Sequence, residues 1–309
     1  MRLKDIGEFG LIKRFQGKIK TDSSVVRASG DDCAVLKLDK NNYQLFTCDM
    51  IIAGTDFKNT DDLSLVGKKA LAVSISDISA CGGTPKHAVV SLGLSPNMPV
   101  ARVDRLAKGL FSLAKKYRIN IVGGDISSAD KLIIDVSMLG IVEKRNLCLR
   151  SGAKPGDIIM VTGSLGGSIK GKHLKFEPRL KEARFLVNNF KINSMIDISD
   201  GLLQDLGHIL EQSSAGAVIY EQLIPLSREA AGVDDALSSG EEFELLFTAS
   251  RDQASKIMKS SKYRFTPIGE IMPGAFGLRT INYKNEYKPR GFSAEARTGR
   301  SFRAGYRHF

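Results

Sequence analysis

The sequence predicts two successive domains, each mixing helices and strands in an α+β arrangement with α/β alternation. Two observations lead to this class. The chain has 309 residues, more than a single hydrophobic core usually serves. Helical and strand-like segments alternate in both halves, and a turn-rich stretch at 146–156 separates them. We therefore expect an N-terminal domain over 1–148 and a C-terminal domain over 149–309.

In the first half, the spacing of apolar residues locates the elements. Helices are expected over 7–16, over 61–82 and from Pro99 onward, and strands over 44–49, 87–94, 119–122 and 131–143. Asp61 or Asp62 would cap the second helix, and Gly82 with Gly83 would end it. Asp77 would then lie near its C-terminal end, where the helix dipole disfavours an anion. A metal ion or a partner would have to compensate.

The second half repeats the alternation. Strands are expected near 157–162, 194–198, 216–220, 243–249 and 264–270, and helices near 180–190, 201–213 and 251–261. No repeat of 20–50 residues is present, which argues against a solenoid.

The composition is that of a globular protein, with 42% apolar and 26% charged residues. Its apolar runs are far shorter than the roughly 20 residues of a membrane span, and the first residues lack the apolar stretch of a secretory signal. Four cysteines without a CxxC pair predict reduced thiols and a cytoplasmic protein. Four scattered histidines give no zinc spacing, so any metal should be hard and bound by oxygen.

The formal net charge of +11 raises the question of nucleic-acid binding. The basic residues are dispersed, however, and the clearest cluster lies near the C-terminal end without an aromatic stacking motif: Arg297, Arg300, Arg303 and Arg307. We favour a solvated basic surface that attracts anionic phosphate substrates. Nucleic acid is the less favoured partner.

Acidic motifs recur at the ends of apolar strands or beside glycine. They are Gly30-Asp31-Asp32, Thr47-Cys48-Asp49, Ser76-Asp77, Gly123-Gly124-Asp125 and Asp197-Ile198-Ser199-Asp200. Each alone fits a turn or a helix cap. Together they would repel, by about 4 kcal/mol for two charges 4 Å apart at an effective dielectric of 20. The repetition therefore predicts a site for divalent cations, with Mg²⁺ and a nucleotide as the expected occupants.

A glycine-rich segment, Gly166-Gly167-Ser168-Ile169-Lys170-Gly171-Lys172-His173, nearly matches a P-loop. It ends in His where the motif needs Ser or Thr to hold Mg²⁺. We interpret it as a glycine-rich turn.

Seven motifs in order resemble those of the thiamine-monophosphate kinase family. They are Gly7-Glu8-Phe9-Gly10-Leu11-Ile12, Gly30-Asp31-Asp32-Cys33-Ala34, Lys69-Ala70-Leu71-Ala72-Val73-Ser74-Ile75-Ser76-Asp77, Gly123-Gly124-Asp125, Arg150-Ser151-Gly152-Ala153-Lys154-Pro155-Gly156-Asp157, Asp197-Ile198-Ser199-Asp200-Gly201-Leu202 and Gly240-Glu241-Glu242-Phe243-Glu244-Leu245. The resemblance implies ATP-dependent phosphorylation of thiamine monophosphate to thiamine diphosphate. It also implies the two-domain fold of aminoimidazole ribonucleotide synthetase, with N-terminal domains that pair into a homodimer.

The resemblance also assigns roles, motif by motif. Several Mg²⁺ ions would be bound by Asp32, Thr47, Asp49, Asp77, Asp125, Asp197 and Asp200. ATP would contact Gly124, Asp125, Arg150, Ser199 and Tyr117. Thiamine monophosphate would contact Asp56, Glu241 and one C-terminal aromatic residue. Tyr306 is favoured because the His-Phe ending after it also matches the family, and Phe292 is the alternative. Asp49, Asp200 and Arg150 are the expected catalytic residues.

The chain departs from the family pattern at one motif: the family usually reads Gly-Gly-Glu-Asp-Tyr-Glu-Leu, and this chain reads Ser239-Gly240-Glu241-Glu242-Phe243-Glu244-Leu245. The change keeps the first acid and lengthens the second. A sister enzyme, such as a selenophosphate synthetase or an amidine cyclo-ligase, is the nearest alternative. A selenophosphate synthetase needs a reactive Cys or selenocysteine, whereas Cys33 resembles a small filler residue. A basic nucleic-acid-binding protein is the alternative outside enzymes.

Overall fold

The computed structural model describes residues 2–282 and 296–297. These residues divide into two compact units. The N-terminal unit contains 2–147 and 171–180, and the C-terminal unit contains 148–170, 181–282 and 296–297. Tyr306, Phe292 and the arginines at 300, 303 and 307 lie outside the described residues.

The N-terminal unit contains a six-stranded mixed sheet. Its elements are α1 (Leu3–Gln16), β1 (Val25–Arg27), β2 (Ala34–Lys37), β3 (Asn42–Ile52), α2 (Leu63–Ala80), β4 (Thr84–Leu94), α3 (Val100–Tyr117), β5 (Asn120–Ser128) and β6 (Ile133–Glu143). The strand order is β1-β2-β3-β6-β4-β5. Only β4 and β5 pair in parallel among these strands.

Helix α2 covers one face of this sheet, against β3, β4 and β6, and α3 packs on α2. On the covered face β6 presents Val136, Met138 and Val142, all fully buried. The alternate residues of β6 are only half-buried, because successive side chains of a strand point to opposite faces. The sheet therefore has a helix-covered face and an open face.

The C-terminal unit contains a seven-stranded mixed sheet. Its elements are β7 (Ile158–Thr162), α4 (Leu180–Asn189), β8 (Ser194–Asp197), α5 (Leu202–Ser213), β9 (Ala215–Tyr220), α6 (Val233–Ser238), β10 (Leu245–Ala249), α7 (Arg251–Lys259), β11 (Phe265–Pro273), β12 (Leu278–Ile281) and β13 (Ala296–Arg297). The order is β13-β12-β9-β11-β7-β10-β8. Its core joins strand residues such as Val161 and Ile196 to Leu206 and Ile209 of α5.

The predicted fold class is confirmed, and most predicted elements are present. Asp62 caps α2 by accepting a hydrogen bond from the Ser64 amide, and Asp77 lies in the last turn of that helix. Helix α1 starts four residues before the predicted position, with a break at Gly7. The sequence did not predict β1, β2, α6, β12 or β13. These elements have only two to six residues, too few for a periodicity to emerge.

Within the described part of the chain, none of the helices combines the length and the apolar character that crossing a membrane would require.

Candidate active site

In the N-terminal unit, the centre of the acidic cluster is on β3. Asp49 pairs directly with the fully buried Val136 of β6. Paired residues of neighbouring strands share a face, so Asp49 lies on the helix-covered face. Thr47, two residues earlier, lies on the same face. The alternation of β3 thus directs Thr47 and Asp49 toward α2.

Two side chains of α2 meet these residues. Ser74 Oγ donates a hydrogen bond to Asp49 Oδ2 over 2.7 Å, and Thr47 Oγ1 donates to Asp77 Oδ2. Ser74 and Asp77 are three residues apart and therefore share one face of the helix. Strand β3 and helix α2 together hold two carboxylates and two hydroxyls in one cluster.

The environment of Asp49 opposes its ionisation. Burial is the main cause that raises the pKa of Asp49, to about 6, and the nearby charges of Asp135 and Asp32 raise it further, while the hydrogen bonds from Ser74 and with Asp77 act in the opposite direction. Removal from water and like charges both disfavour the anionic form. A bound cation would reverse this balance.

Asp32 lies in the segment between β1 and β2 and is only 9% exposed. Its neighbour Asp31 forms an ion pair with Arg27 at 3.4 Å. Carboxylate oxygens of Asp31 and Asp32 and the Cys81 sulfur all lie within 4.8 Å of one another. This segment therefore contributes further negative charge beside α2.

Cys33 follows directly and is 1% exposed. Burial is the main cause that raises its pKa well above the ordinary value, and a hydrogen bond with Cys81 and the charges of Asp77 and Asp32 add to the shift. A reactive cysteine needs a depressed pKa and access to solvent. Cys33 has neither property, which argues against the selenophosphate synthetase alternative.

Gly124 and Asp125 lie inside β5, whereas the sequence predicted that the strand ends before them. A Cβ on Gly124 would come within 1.8 Å of the Val90 carbonyl oxygen, so only glycine fits this close approach of β4 and β5. Asp125 is in the row of paired residues that includes Ser91, Asp135 and Met50. That row belongs to the open face, so the register separates Asp125 from Asp49.

Two other predicted residues of this unit have local partners. Asp56, 6% exposed, accepts a hydrogen bond from the Ile52 amide at 2.7 Å. Its carbonyl oxygen accepts one from the buried Lys69 ammonium, also at 2.7 Å. Tyr117 ends α3 and donates its hydroxyl to Glu177 at 2.9 Å. These contacts do not test whether Asp56 binds thiamine monophosphate or Tyr117 binds ATP, so both roles stay predictions.

In the C-terminal unit, the predicted residues follow β8. Asp197 is the last residue of that strand and is 3% exposed. Ser199 and Asp200 form the bend before α5. The Asp200 and Gly201 amides both donate to Asp205 Oδ2, each at 3.0 Å. The bend is thus fixed by a carboxylate from the first turns of the helix.

Asp205 was not among the predicted residues. It is 1% exposed, and burial is the main cause that raises its pKa well above the ordinary value, with the charges of Asp200 and Asp197 adding to the shift and Arg150 opposing it. One ligand atom each of Asp200, Asp205 and His208 lie within 4.8 Å of one another. The spacing of three between Asp205 and His208, which places both on one helix face, could have revealed this group.

Glu241 precedes β10, is 8% exposed and has a positive φ of 59°. Its amide donates to the Ser199 carbonyl oxygen at 2.6 Å. The structure therefore brings Asp197, Ser199, Asp200 and Glu241 together around the end of β8, with the charge of Arg150 acting on Asp205 in the same region.

The two groups of acids suit a hard divalent cation. The side chains are carboxylates and hydroxyls, which are the ligands that Mg²⁺ prefers. The pKa of Asp49 is raised mainly by burial and further by the charges of Asp135 and Asp32, and a cation would offset both effects. The residues of these two groups that would hold Mg²⁺ were all predicted from the motifs: Asp32, Thr47, Asp49 and Asp77 in the N-terminal unit, and Asp197 and Asp200 in the C-terminal unit. Asp125 is not part of either group, because it lies on the open face.

The first prediction concerns Asp205. Asp205→Asn keeps an oxygen that can accept hydrogen bonds from both amides. It also removes the buried negative charge, whose unfavourable environment raises the pKa of Asp205. We expect the metal-free variant to unfold at or above the wild-type urea midpoint at pH 7.5. Asp205→Ala leaves two buried donors without an acceptor, at a cost of about 1–3 kcal/mol, and should unfold earlier. Equal urea midpoints for Asp205→Asn and Asp205→Ala would show that the Asp205 side chain does not hold the bend after β8.

The second prediction concerns metal-free protein in a chelator. The folded-state pKa of Asp49 is raised to about 6, above the unfolded value of about 3.9. Ionisation therefore costs stability, and the loss develops as pH rises between these values and persists above them. Asp49→Asn should raise the melting temperature by several degrees at pH 7.5 and much less at pH 4.5.

Asp39→Asn is the control. Asp39 is exposed, and hydrogen bonds from Asn42 and Asn41 lower its pKa, so its substitution should not raise the melting temperature at pH 7.5. A gain for Asp49→Asn that is equal at both pH values would show that its charge is not the cause.

Comparison with protein families matches both halves of the chain. The family model for the N-terminal domain of AIR synthase related proteins matches residues 30–142. The model for the C-terminal domain of the same proteins matches residues 154–279. The two-domain fold expected from the motifs is therefore confirmed.

Individual relatives are more specific. The thiamine-monophosphate kinase of Buchnera aphidicola subsp. Schizaphis graminum is 33% identical, over 94% of this chain and 99% of the relative. A structure described as AaThiL complexed with AMPPCP and TMP has a TM-score of 0.83 at 28% identity and covers 100% of this chain and 99% of its own. The thiamine monophosphate kinase of Aquifex aeolicus gives 0.78 at 27% identity, over 94% and 100% of the two chains. The chain therefore belongs to the thiamine-monophosphate kinase family of AIR synthase related proteins.

Proposed function

We propose that this protein transfers the γ-phosphoryl group of ATP to thiamine monophosphate and forms thiamine diphosphate. The observation that carries the proposal is the 33% identity to a thiamine-monophosphate kinase over 94% of the chain. The structure described as a complex with AMPPCP and TMP adds support, because an ATP analogue and a second ligand are the pair that such a kinase must bind.

The carboxylates would serve as magnesium ligands. In the N-terminal unit these are Asp32, Asp49 and Asp77, with the Thr47 hydroxyl, and in the C-terminal unit Asp197 and Asp200. Asp125 would be a further ligand, apart from these residues on the open face of the N-terminal sheet. Bound Mg²⁺ would neutralise and align the phosphate oxygens, which is most of the catalysis that phosphoryl transfer requires. The hydrogen bonds from Thr47 to Asp77 and from Ser74 to Asp49 hold two of these carboxylates in fixed orientations.

Other residues would bind the two substrates. Gly124, Asp125, Ser199 and Tyr117 are the proposed ATP contacts, and Arg150 supplies a fixed positive charge for the phosphates. Asp56 and Glu241 would recognise the thiamine moiety. Its thiazolium ring is cationic and its aminopyrimidine donates hydrogen bonds, so carboxylates complement both.

The proposed reaction needs no general base. The nucleophile is an oxygen of a phosphate monoester, whose second pKa is about 6, so it is largely ionised at neutral pH. We propose direct in-line transfer without a phosphoenzyme.

The test is incubation with ATP, Mg²⁺ and thiamine monophosphate, with thiamine diphosphate measured by chromatography. Thiamine in place of its monophosphate is the control, because its alcohol would need a base to become a nucleophile. We expect turnover of the monophosphate and little of thiamine. Faster phosphorylation of thiamine would overturn the proposal.

We also propose that the protein is a homodimer that pairs through the open face of the N-terminal sheet. This face exposes three large apolar side chains, Phe46 (43%), Met50 (52%) and Val89 (38%). These side chains lie on β3 and β4, whereas Asp125, a proposed ATP contact, lies on the edge strand β5. Large apolar side chains exposed on one face commonly mark a protein interface, and a second copy of the same patch gives a closed two-fold contact.

Light scattering should give twice the chain mass of 33.7 kDa. Phe46→Glu should yield the monomer, whereas Phe111→Glu, at a more exposed phenylalanine on α3 (57%), should leave the dimer intact. A monomeric wild-type protein at micromolar concentration would exclude this dimer.

A further inference from the structure

The segment that precedes β10 has a strained backbone. Glu241 and Phe243 have φ values of 59° and 50°, in the left-handed region that disfavours residues with a Cβ. Such conformations persist only where the surroundings impose them, and they are concentrated at functional sites. The contacts around Glu241 therefore impose this backbone conformation.

Both peptide groups of Glu241 have fixed partners. Its amide donates to the Ser199 carbonyl oxygen at 2.6 Å. Its carbonyl oxygen accepts a hydrogen bond from Ser168 Oγ at 2.5 Å. Ser168 is fully buried, so it cannot exchange this partner for water. The backbone of Glu241 is thus held between the bend after β8 and a second segment that contains Ser168.

That second segment is the start of the glycine-rich turn, which begins at Gly166. The Gly166 amide, which in a P-loop would face phosphate, donates instead to Glu242 Oε1 at 2.7 Å. Glu242 is fully buried. The turn is also tightly packed, since a Cβ on Gly167 would come within 2.5 Å of the Glu229 carbonyl oxygen. The Gly166 amide is therefore bound by the protein itself, and Gly167 leaves no room for a side chain.

We propose that the glycine-rich turn is a support for substrate recognition, in which Ser168 and Glu242 are positioning residues for Glu241. Ser168 fixes the carbonyl group of Glu241. Glu242, the next residue, is fixed by the hydrogen bond between its carboxylate and the Gly166 amide. Together they hold the Glu241 carboxylate where it recognises the thiamine moiety. This inference rests on the proposed function, because it takes thiamine monophosphate as the ligand of Glu241.

The length of the Glu242 side chain brings its carboxylate to the Gly166 amide. Aspartate is shorter by one methylene, so Glu242→Asp should withdraw the carboxylate from the Gly166 amide. Glu242→Gln keeps an oxygen at the same reach. The acceptor, rather than the charge, is what the positioning role requires.

The experiment compares Ser168→Ala with Ser227→Ala. Ser227 is the matched control, because its hydroxyl donates to the Gly166 carbonyl oxygen of the same turn and it is not a proposed holder of Glu241. Loss of one hydrogen bond should raise the KM for thiamine monophosphate about three- to tenfold in Ser168→Ala. The KM for ATP should stay within twofold, and Ser227→Ala should leave both unchanged.

Glu242→Asp and Glu242→Gln provide the second measurement, which decides the matter if Ser168→Ala proves unstable in thermal melts. Glu242→Asp should raise the KM for thiamine monophosphate selectively, and Glu242→Gln should restore it to within twofold of wild type. Equal changes in both KM values, or equal effects of Ser168→Ala and Ser227→Ala, would overturn the positioning role. The proposed kinase activity would still stand in that case, provided that the wild type forms thiamine diphosphate. Absence of thiamine diphosphate with the wild type would instead overturn the proposed function, and the role of Glu241 with it.

Discussion

Asp49→Asn is expected to lower kcat for thiamine monophosphate by about 10²- to 10³-fold at saturating Mg²⁺. A metal ion contributes several kcal/mol of charge stabilisation, and each 1.4 kcal/mol is tenfold in rate. Asn keeps one oxygen and nearly the same volume, so the hydrogen bond from Ser74 should survive. Steady-state kinetics over a range of Mg²⁺ concentrations is the measurement.

Asp135→Asn is the matched control for Asp49→Asn. Asp135 is one residue from the β6 partner of Asp49 and lies on the open face of the same sheet. Asp135→Asn also removes one negative charge from this sheet, but we expect it to change kcat less than fivefold. If both variants kept wild-type kcat, Asp49 would not be a metal ligand.

Asp200→Asn should also lower kcat by about 10²-fold or more, for the same reason. The bend that holds it should persist, because the Asp200 and Gly201 backbone amides, rather than the Asp200 side chain, bind Asp205. Kinetics and thermal melts of the same preparation separate a loss of chemistry from a loss of structure.

Asp252→Asn serves as its control in the C-terminal unit. Asp252 is an exposed acid that pairs with Lys256 on α7 at 2.7 Å, and an exposed pair of this kind contributes little. It should leave kcat unchanged. Full activity of Asp200→Asn at limiting and at saturating Mg²⁺ would remove Asp200 from the predicted metal ligands.

The sequence by itself determined the fold class and the order of its long elements. The boundaries of α2 followed from helical periodicity, an Asp62 cap and the Gly82-Gly83 stop, all of which are local. The motif series also indicated the family, because a family pattern is a property of the order of residues. Short elements such as β1 and α6 were not predicted, because so few residues show no hydrophobic periodicity.

The tertiary structure decided which of the acids share a cluster. Asp49 and Asp77 are brought together because the period of two in β3 and the helical period of α2 direct them to one layer. Asp125 has an equivalent motif in the sequence, yet the register of β5 places it on the open face. Register depends on pairing between distant strands, and a motif does not encode it.

Only the tertiary structure revealed the residues that hold the site in place. Asp205 binds the bend after β8, Ser168 donates to the Glu241 carbonyl oxygen, and the Glu242 carboxylate accepts from the Gly166 amide. In the sequence Ser168 and Glu241 are 73 residues apart, and nothing local indicates that they touch. A sequence motif specifies groups that could bind a ligand. Their support comes from backbone hydrogen bonds between segments that meet only after folding.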